Sequence, residues 1–247
     1  MDLDDLPIGR VLTRREALAV LGSTGTLFLL GGSSPGPDRR PGDSRYPCVV
    51  RPASTAGPYY VDEKLNRSDI RSDPTDGSVS DGARLALTLN VYAITNRACA
   101  PLRDAIVDVW QCDAEGVYSD AVDPRYFNTT GKKFLRGHQV TDEKGQARFV
   151  TIYPGWYPQR TPHIHYKIRS PMRVSSPYEF IGQLYFEEGM SDRVYAKSPY
   201  AARGKRTVSN LTDRIYRSDG GRQSLLAVVP AKDGGYGATF DVAIDRG

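Results

Sequence analysis

Short runs in which apolar and polar side chains alternate recur along the chain from about residue 85 onward. LALTLNVYAI (85–94), AIVDVWQC (105–112) and QARFVTIY (146–153) each carry the two-residue period of a strand with one buried face. HIHYKIR (163–169), YEFIGQLYF (178–186), SLLAVVP (224–230) and ATFDVAI (238–244) complete a set of seven. Turn-forming residues separate them, and only the stretch 191–217 admits a short helix. Seven short strands joined by turns predict an all-β fold, a β-sandwich. Residues 48–78 are rich in turn formers and hold no sustained period, which predicts an extended N-terminal coil wrapping the domain, with long loops elsewhere.

The chain upstream of that coil has a different character. Arg14 and Arg15 directly precede an apolar run from Ala17 to Leu30, which Gly22, Ser23 and Gly25 interrupt. The run is too short and too weakly apolar for a stable membrane anchor, and paired arginines before a mild apolar segment have the form of a twin-arginine export signal. The expected organisation is a signal peptide at 1–32, a Gly/Pro/Ser linker at 33–45 and one folded domain at 46–247. Export places the protein in the periplasm or outside the cell. That pathway carries proteins that fold before leaving the cytoplasm, often with a cofactor in place.

Composition narrows the function classes. The 247 residues include 24 Gly, 17 Pro and 15 Tyr, a balance suited to a turn-rich β protein. The net charge of +4 comes from basic residues interspersed with acids, so no patch or run of positive charge marks a nucleic-acid partner. Three cysteines, Cys48, Cys99 and Cys112, allow one disulfide and one remaining thiol in an exported protein. Arg45-Tyr46-Pro47 is the wrong context for a lipid-modified Cys48. If residues 86–94 and 105–112 pair as a hairpin, Cys99 lies at its turn and Cys112 at its far end, which disfavours a Cys99–Cys112 bridge and favours Cys48 with Cys112.

Candidate chemistry is concentrated in PGWYPQRTPHIHYK (154–167), which holds two of the three histidines. On a strand His163 and His165 face the same side, while Ile164 and Tyr166 face the other, so the pair is a ready two-nitrogen metal clamp. Two hydrogen-bonded histidines without metal, or a zinc or copper site, use the same pattern. Tyr157 lies just upstream on a turn bracketed by glycine and proline. A phenol titrates near ~10 and needs a hard trivalent cation to ionise it, so a histidine–tyrosine site points to non-haem Fe(III). His138 reads as an exposed loop histidine, and Trp110 and Trp156 as structural residues.

With these residues, DVWQCDAEGVYSD (108–120), TAGPYY (55–60) and GQLYF (182–186) make the chain resemble the intradiol ring-cleaving dioxygenases, the catechol and protocatechuate dioxygenases, over most of residues 48–190. The resemblance implies an immunoglobulin-like or transthyretin-like sandwich with Fe(III) held by Tyr118, Tyr157, His163 and His165. It implies that Tyr157 leaves the metal to accept a substrate proton, that Arg160 and Gln183 assist catalysis, and that Tyr59, Tyr60 and Arg160 line the substrate pocket. The implied reaction cleaves a catechol between its two hydroxylated carbons with O2, giving a cis,cis-muconate-type diacid. Arg160 in a surface salt bridge and Gln183 as a packing residue are the plainer readings of those two positions. Two departures stand out: the loop from Tyr157 to Arg160 is much shorter than in the protocatechuate enzymes, implying a more open iron site, and no helical dimerisation segment is evident before the catalytic region. A colourless exported β-sandwich that binds a ligand or carbohydrate without catalysis is the alternative.

Overall fold

The structure, a computed structural model, describes residues 46, 48–96, 98–171, 176–232 and 234–246. The expected signal peptide and linker lie outside the described residues. Two five-stranded sheets face each other across one apolar core. The first is built on β1 (Arg84–Thr95), whose alternating burial follows its alternating sequence. Along one side β1 runs parallel to β12 (Tyr236–Asp245), with β11 (Val228–Pro230) beyond it. Along the other it pairs antiparallel with β7 (Gln146–Ile152) and then with β2 (Ala98–Pro101). The second sheet has the order β10-β9-β8-β3-β6, from β10 (Leu225–Leu226), β9 (Glu179–Phe186), β8 (His163–Arg169), β3 (Ile106–Trp110) and β6 (Arg136–Val140). A small hairpin of β4 (Val122–Asp123) and β5 (Phe127–Asn128) stands apart.

Leu85, Leu87, Leu89 and Val91 of β1 meet Val107, Val109, Ile164, Ile168 and Leu184 of the opposite sheet, all within 1% of full burial. Each such side chain is worth about 1.5–3 kcal/mol when removed from water, so the core fixes strand register on both sheets. The other face of β8 then has to carry His163 and His165. It is covered by polypeptide outside the sheets and not by water.

Part of that cover is the N-terminal coil, which wraps the sandwich as its composition predicts. Val49 accepts from Ala243 N at 2.9 Å, Ser54 N donates to the Ile181 carbonyl at 2.9 Å, and Ile70 N donates to the Val150 carbonyl at 3.0 Å. The coil therefore touches β12, β9 and β7 in turn. Among the described residues, no helix is long and apolar enough to cross a membrane. Between 188 and 218 lie two α-helices, α1 (Glu188–Tyr195) and α2 (Arg214–Ser218), and a 3-10 turn at Tyr200–Arg203, where the sequence predicts one short helix.

Three expectations need correction. Residues 86–94 and 105–112 do not form a hairpin: β1 and β3 lie in different sheets, and β1 turns back through the four-residue β2, whose ACAP is too short to show a period. That turn puts Cys99 beside Ile94 at the sheet edge, where it forms a disulfide with Cys48 at a Cα–Cα distance of 6.1 Å. Cys112, at the end of β3, is the free and buried thiol, and burial raises its pKa. His138 is half-buried on β6 opposite Asp108, not on a loop. In addition, the apolar run 224–230 changes sheets after Leu226, a crossing that a continuous run of apolar residues conceals.

The disulfide closes a separation of 51 residues, worth about 4 kcal/mol in the chain-entropy picture. Thiol counting should give no reactive thiol in the native protein, one in denaturant and three after reduction, with a cross-linked Cys48–Cys99 peptide in a non-reducing digest. A Cys48–Cys112 peptide would contradict this arrangement.

Candidate active site

Sheet register lays out the floor of the site. Trp110 of β3, His165 of β8 and Gln183 of β9 are direct cross-strand partners, and His163 stands opposite Tyr185. All five side chains project from the outer face of the second sheet. The Trp110 indole lies flat on the His165 imidazole, with ring centroids 4.9 Å apart and planes 6° from parallel, so this structural tryptophan fixes the tilt of the histidine.

Two turns bring tyrosines over that floor. In the first, the Asp113 carboxylate accepts from the backbone nitrogens of Glu115 and Val117, both at 2.9 Å, and shapes the turn that leads to Tyr118. Gly116 sits there at φ +82°, so close to the Trp156 carbonyl that a Cβ would overlap it. In the second, Gly155 N donates to the Asp113 carbonyl at 2.9 Å, and a Cβ on Gly155 would overlap the carbonyls of Asp113 and Ala114. Glycine on each side lets the two backbones meet. As a result Tyr118 and Tyr157 come edge to face, with centroids 5.7 Å apart. Beyond Tyr157 the chain turns through Pro158 and Gln159 (φ +71°), and Arg160 N returns to the Tyr157 carbonyl at 3.3 Å. This is a type II turn with glutamine where glycine is usual.

The polar atoms of the cluster converge. His163 Nε2 lies 3.1 Å from His165 Nε2 and 3.4 Å from the Tyr118 hydroxyl. The Tyr157 ring stands 5.9 Å from that of His163. His163 Nδ1 lies 2.7 Å from the Thr161 carbonyl, a contact that puts its proton on Nδ1 and leaves the Nε2 lone pair facing the cluster. His165 Nδ1 has no partner of full hydrogen-bond geometry, although the Thr55 carbonyl acts on that ring. Burial, reinforced by the positive charge of Arg160, holds the pKa of His163 well below the ordinary imidazole value; for His165 burial is followed by His163 and Arg160. Both rings are neutral donors at pH 7.

Arg160 is 5% exposed, which replaces the surface-bridge reading with a buried ion pair to Asp213. Burial pulls its pKa down, but Tyr157, Tyr185 and Asp213 outweigh that and hold the guanidinium charged. Its Nη2 donates to Gln183 Oε1 at 2.6 Å, and Nη1 lies 3.4 Å from His163 Nε2. Gln183 donates to the Thr55 carbonyl and accepts from the Tyr185 hydroxyl, both at 2.9 Å, so it is a fixed part of the floor.

A cavity of about 620 Å³ opens over this cluster, lined among others by Tyr59, Tyr157, Arg160, Arg125, Arg214 and Ile215. Tyr59 packs against Tyr118 with ring centroids 4.7 Å apart and planes tilted by 31°, and its hydroxyl donates to Asp123 at 3.0 Å. Tyr60 faces away from the cavity, packing on Trp110 under the ammonium of Lys167. Two residues with no motif to announce them also matter. Arg136, 3% exposed, donates to the Tyr59 carbonyl at 3.1 Å, to the Ser119 hydroxyl at 2.7 Å and to the Ser119 carbonyl, tying the coil to the Tyr118 turn. Asp213, wholly buried, holds Arg160.

A family model described as dioxygenase matches residues 55–215, the span that contains every residue of this cluster. The chain belongs to the intradiol ring-cleaving dioxygenases and is an oxidoreductase of that family. A solved intradiol ring-cleavage dioxygenase from Tetranychus urticae is 34% identical, with a TM-score of 0.68 over 80% of this chain and 95% of that one. The protocatechuate 3,4-dioxygenase beta chain of Burkholderia cepacia is 29% identical over 68% of this chain and 74% of its own length. The dioxygenase domain of a carbohydrate-binding fusion protein from Streptomyces sp. SirexAA-E is 27% identical, with a TM-score of 0.54 over 80% of this chain and 99% of that domain.

Gly116→Ala should lower stability by about 2–4 kcal/mol, through the left-handed backbone and the overlap with Trp156, and should separate Tyr118 from Tyr157. The melting temperature and the near-ultraviolet tyrosine circular dichroism check this. A variant indistinguishable from wild type in both would show that the two turns do not depend on this contact.

Proposed function

We propose that the protein is a non-haem Fe(III) dioxygenase that cleaves catechol-type rings between the two hydroxylated carbons. Both atoms of O2 enter the product, a cis,cis-muconate-type diacid. The observation that carries this reading is the convergence of two neutral imidazoles and a phenol within 3.4 Å, with a second tyrosine alongside on the wall of an open cavity.

The donor set fits the metal. His163 Nε2 lies 3.1 Å from His165 Nε2 and 3.4 Å from the Tyr118 hydroxyl, so these donor atoms are close enough together to share one ion. Among the described residues no group of three or more His, Cys, Asp or Glu side chains comes together, so the donors available beside this histidine pair are phenols. Tyr118, Tyr157, His163 and His165 would hold the ion, two phenolates offsetting most of its charge. Bound ferric iron supplies Lewis-acid activation of a catecholate toward O2.

The remaining work falls to the chain. Tyr157, at the cavity wall, accepts a proton from a catechol hydroxyl on its phenolate oxygen. Arg160 presents a fixed positive charge where negative charge develops on the ring, and Gln183 keeps that charge aimed. Tyr59, packed against Tyr118, forms part of the cavity wall beside the cluster. The Arg14-Arg15 leader supports export and hence catechols met in the periplasm or outside the cell, and the cavity leaves room for substituents on the ring.

Purified iron-loaded protein should be red-brown from tyrosinate-to-iron charge transfer, its band should shift on adding catechol, and each ring cleaved should consume one O2. Tyr118→Phe should lose the colour and at least about 100-fold in activity. Zinc or copper in place of iron would overturn the proposal in favour of a different metal site, and stoichiometric iron without colour or no O2 uptake across catechol, protocatechuate and hydroxyquinol would overturn it in favour of a binding module.

A further inference from the structure

The Arg160 guanidinium is held at two of its nitrogens while the third points at His163. Nε donates to Asp213 Oδ2 at 2.9 Å, Nη2 donates to Gln183, and Nη1 faces the imidazole. Asp213 lies 53 residues further along the chain and is fully buried. The same Oδ2 accepts from Thr161 N at 2.8 Å, while Oδ1 accepts from Tyr216 N at 2.9 Å and so caps α2. Its neighbourhood is pinned as well. The Thr161 hydroxyl donates to Asn210 Oδ1 at 2.7 Å, and Asn210 Nδ2 donates to the Phe186 carbonyl at 2.9 Å. A carboxylate with three donors on two oxygens has no freedom to turn.

We propose that Asp213 is a positioning residue for the ring-cleaving reaction: it sets the orientation of the Arg160 guanidinium against the histidine–tyrosine cluster and links that orientation to the cavity wall of Thr212, Arg214 and Ile215. The proposal rests on the catalytic reading of the cluster given above. Gln183 alone does not fix the guanidinium, because its one carbonyl oxygen is shared with the Tyr185 hydroxyl and carries no net charge. With Asp213 removed, a buried cation loses its counter-charge and one of its two anchors, and a pocket opens beside Nε. A catalytic charge works only when preorganised, and a misplacement of about 1 Å costs on the order of 10²-fold. Because the other oxygen caps α2, a substituted ring pressing on Arg214 or Ile215 bears on the carboxylate that holds Arg160.

The test compares Asp213→Asn, which keeps shape and cap but removes charge, with Asp213→Ala, which opens the pocket. Iron per chain and colour should stay at wild-type levels in both. With the catechol that wild type cleaves, kcat should fall about 10-fold for Asn and about 100-fold for Ala, with KM changing far less. Sodium formate, refilling the pocket with a carboxylate, should restore about 10-fold of the Ala loss and leave wild type unaffected. Crystal structures of the metal-free variants should show Nη1 turned away from His163. A kcat within twofold of wild type, or a loss that follows iron and folding in both variants and ignores formate, overturns the proposal. If wild type cleaves no catechol, the catalytic reading fails by itself; the Arg160 orientation and a formate-dependent rise in the melting temperature of metal-free Asp213→Ala still decide whether Asp213 is the anchor.

Discussion

The backbone contact between two turns, Gly116 against the Trp156 carbonyl and Gly155 against the Asp113 carbonyl, is the constraint on which the site depends. Sheet geometry alone gives His163 and His165 on one face of β8, a clamp with two nitrogens. The tyrosines belong to segments that the sheet does not position, one after β3 and one after β7. Only residues without a Cβ let those segments approach closely enough for the two phenols to stand over the imidazoles. A sandwich with the same strands and bulkier turns would keep its core and lose its site.

Charge is the second constraint. Two arginines, Arg136 and Arg160, are buried beside the cluster, an arrangement that costs stability unless each cation is satisfied by oxygen acceptors. Arg160 has a carboxylate and an amide oxygen, while Arg136 has two backbone carbonyls and a hydroxyl. The two play different parts. Arg136 fastens the N-terminal coil to the Tyr118 turn, whereas Arg160 turns Nη1 toward His163, where its charge adds to the burial that holds the imidazoles neutral. The cation that reinforces this effect of burial also presents positive charge toward the cavity. Such preorganised polarity needs a rigid surround, and the Cys48–Cys99 bridge supplies part of it by fixing the start of the coil that carries Thr55 and Tyr59.

Much of this is legible in the chain because it is local. Period-two alternation marks each long strand, and the i, i+2 spacing of His163 and His165 puts both rings on one face of a strand whatever its neighbours are. The misreadings of topology and of the disulfide concern pairings between distant segments. ACAP at 98–101 is too short to announce a strand, so alternation alone joins β1 to β3, and the expected disulfide follows that error to the wrong cysteine. Asp213 and Arg136 lie in unremarkable sequence, and their importance arises only because folding brings them to Arg160 and to Ser119. Tyr59 and Tyr60 are neighbours with the same chemistry, yet one lines the cavity and the other packs behind Trp110, a difference set by the direction of the coil and not by residue type.

The central claim is that two phenolate oxygens and two imidazole nitrogens share one ferric ion. Anomalous diffraction from crystals of the iron-loaded protein, recorded on both sides of the iron absorption edge, measures this most directly. The account predicts a single iron peak within bonding distance of the Tyr118 and Tyr157 oxygens and of Nε2 of His163 and His165. A peak bound by the histidines with neither tyrosine, or located elsewhere in the molecule, would contradict it.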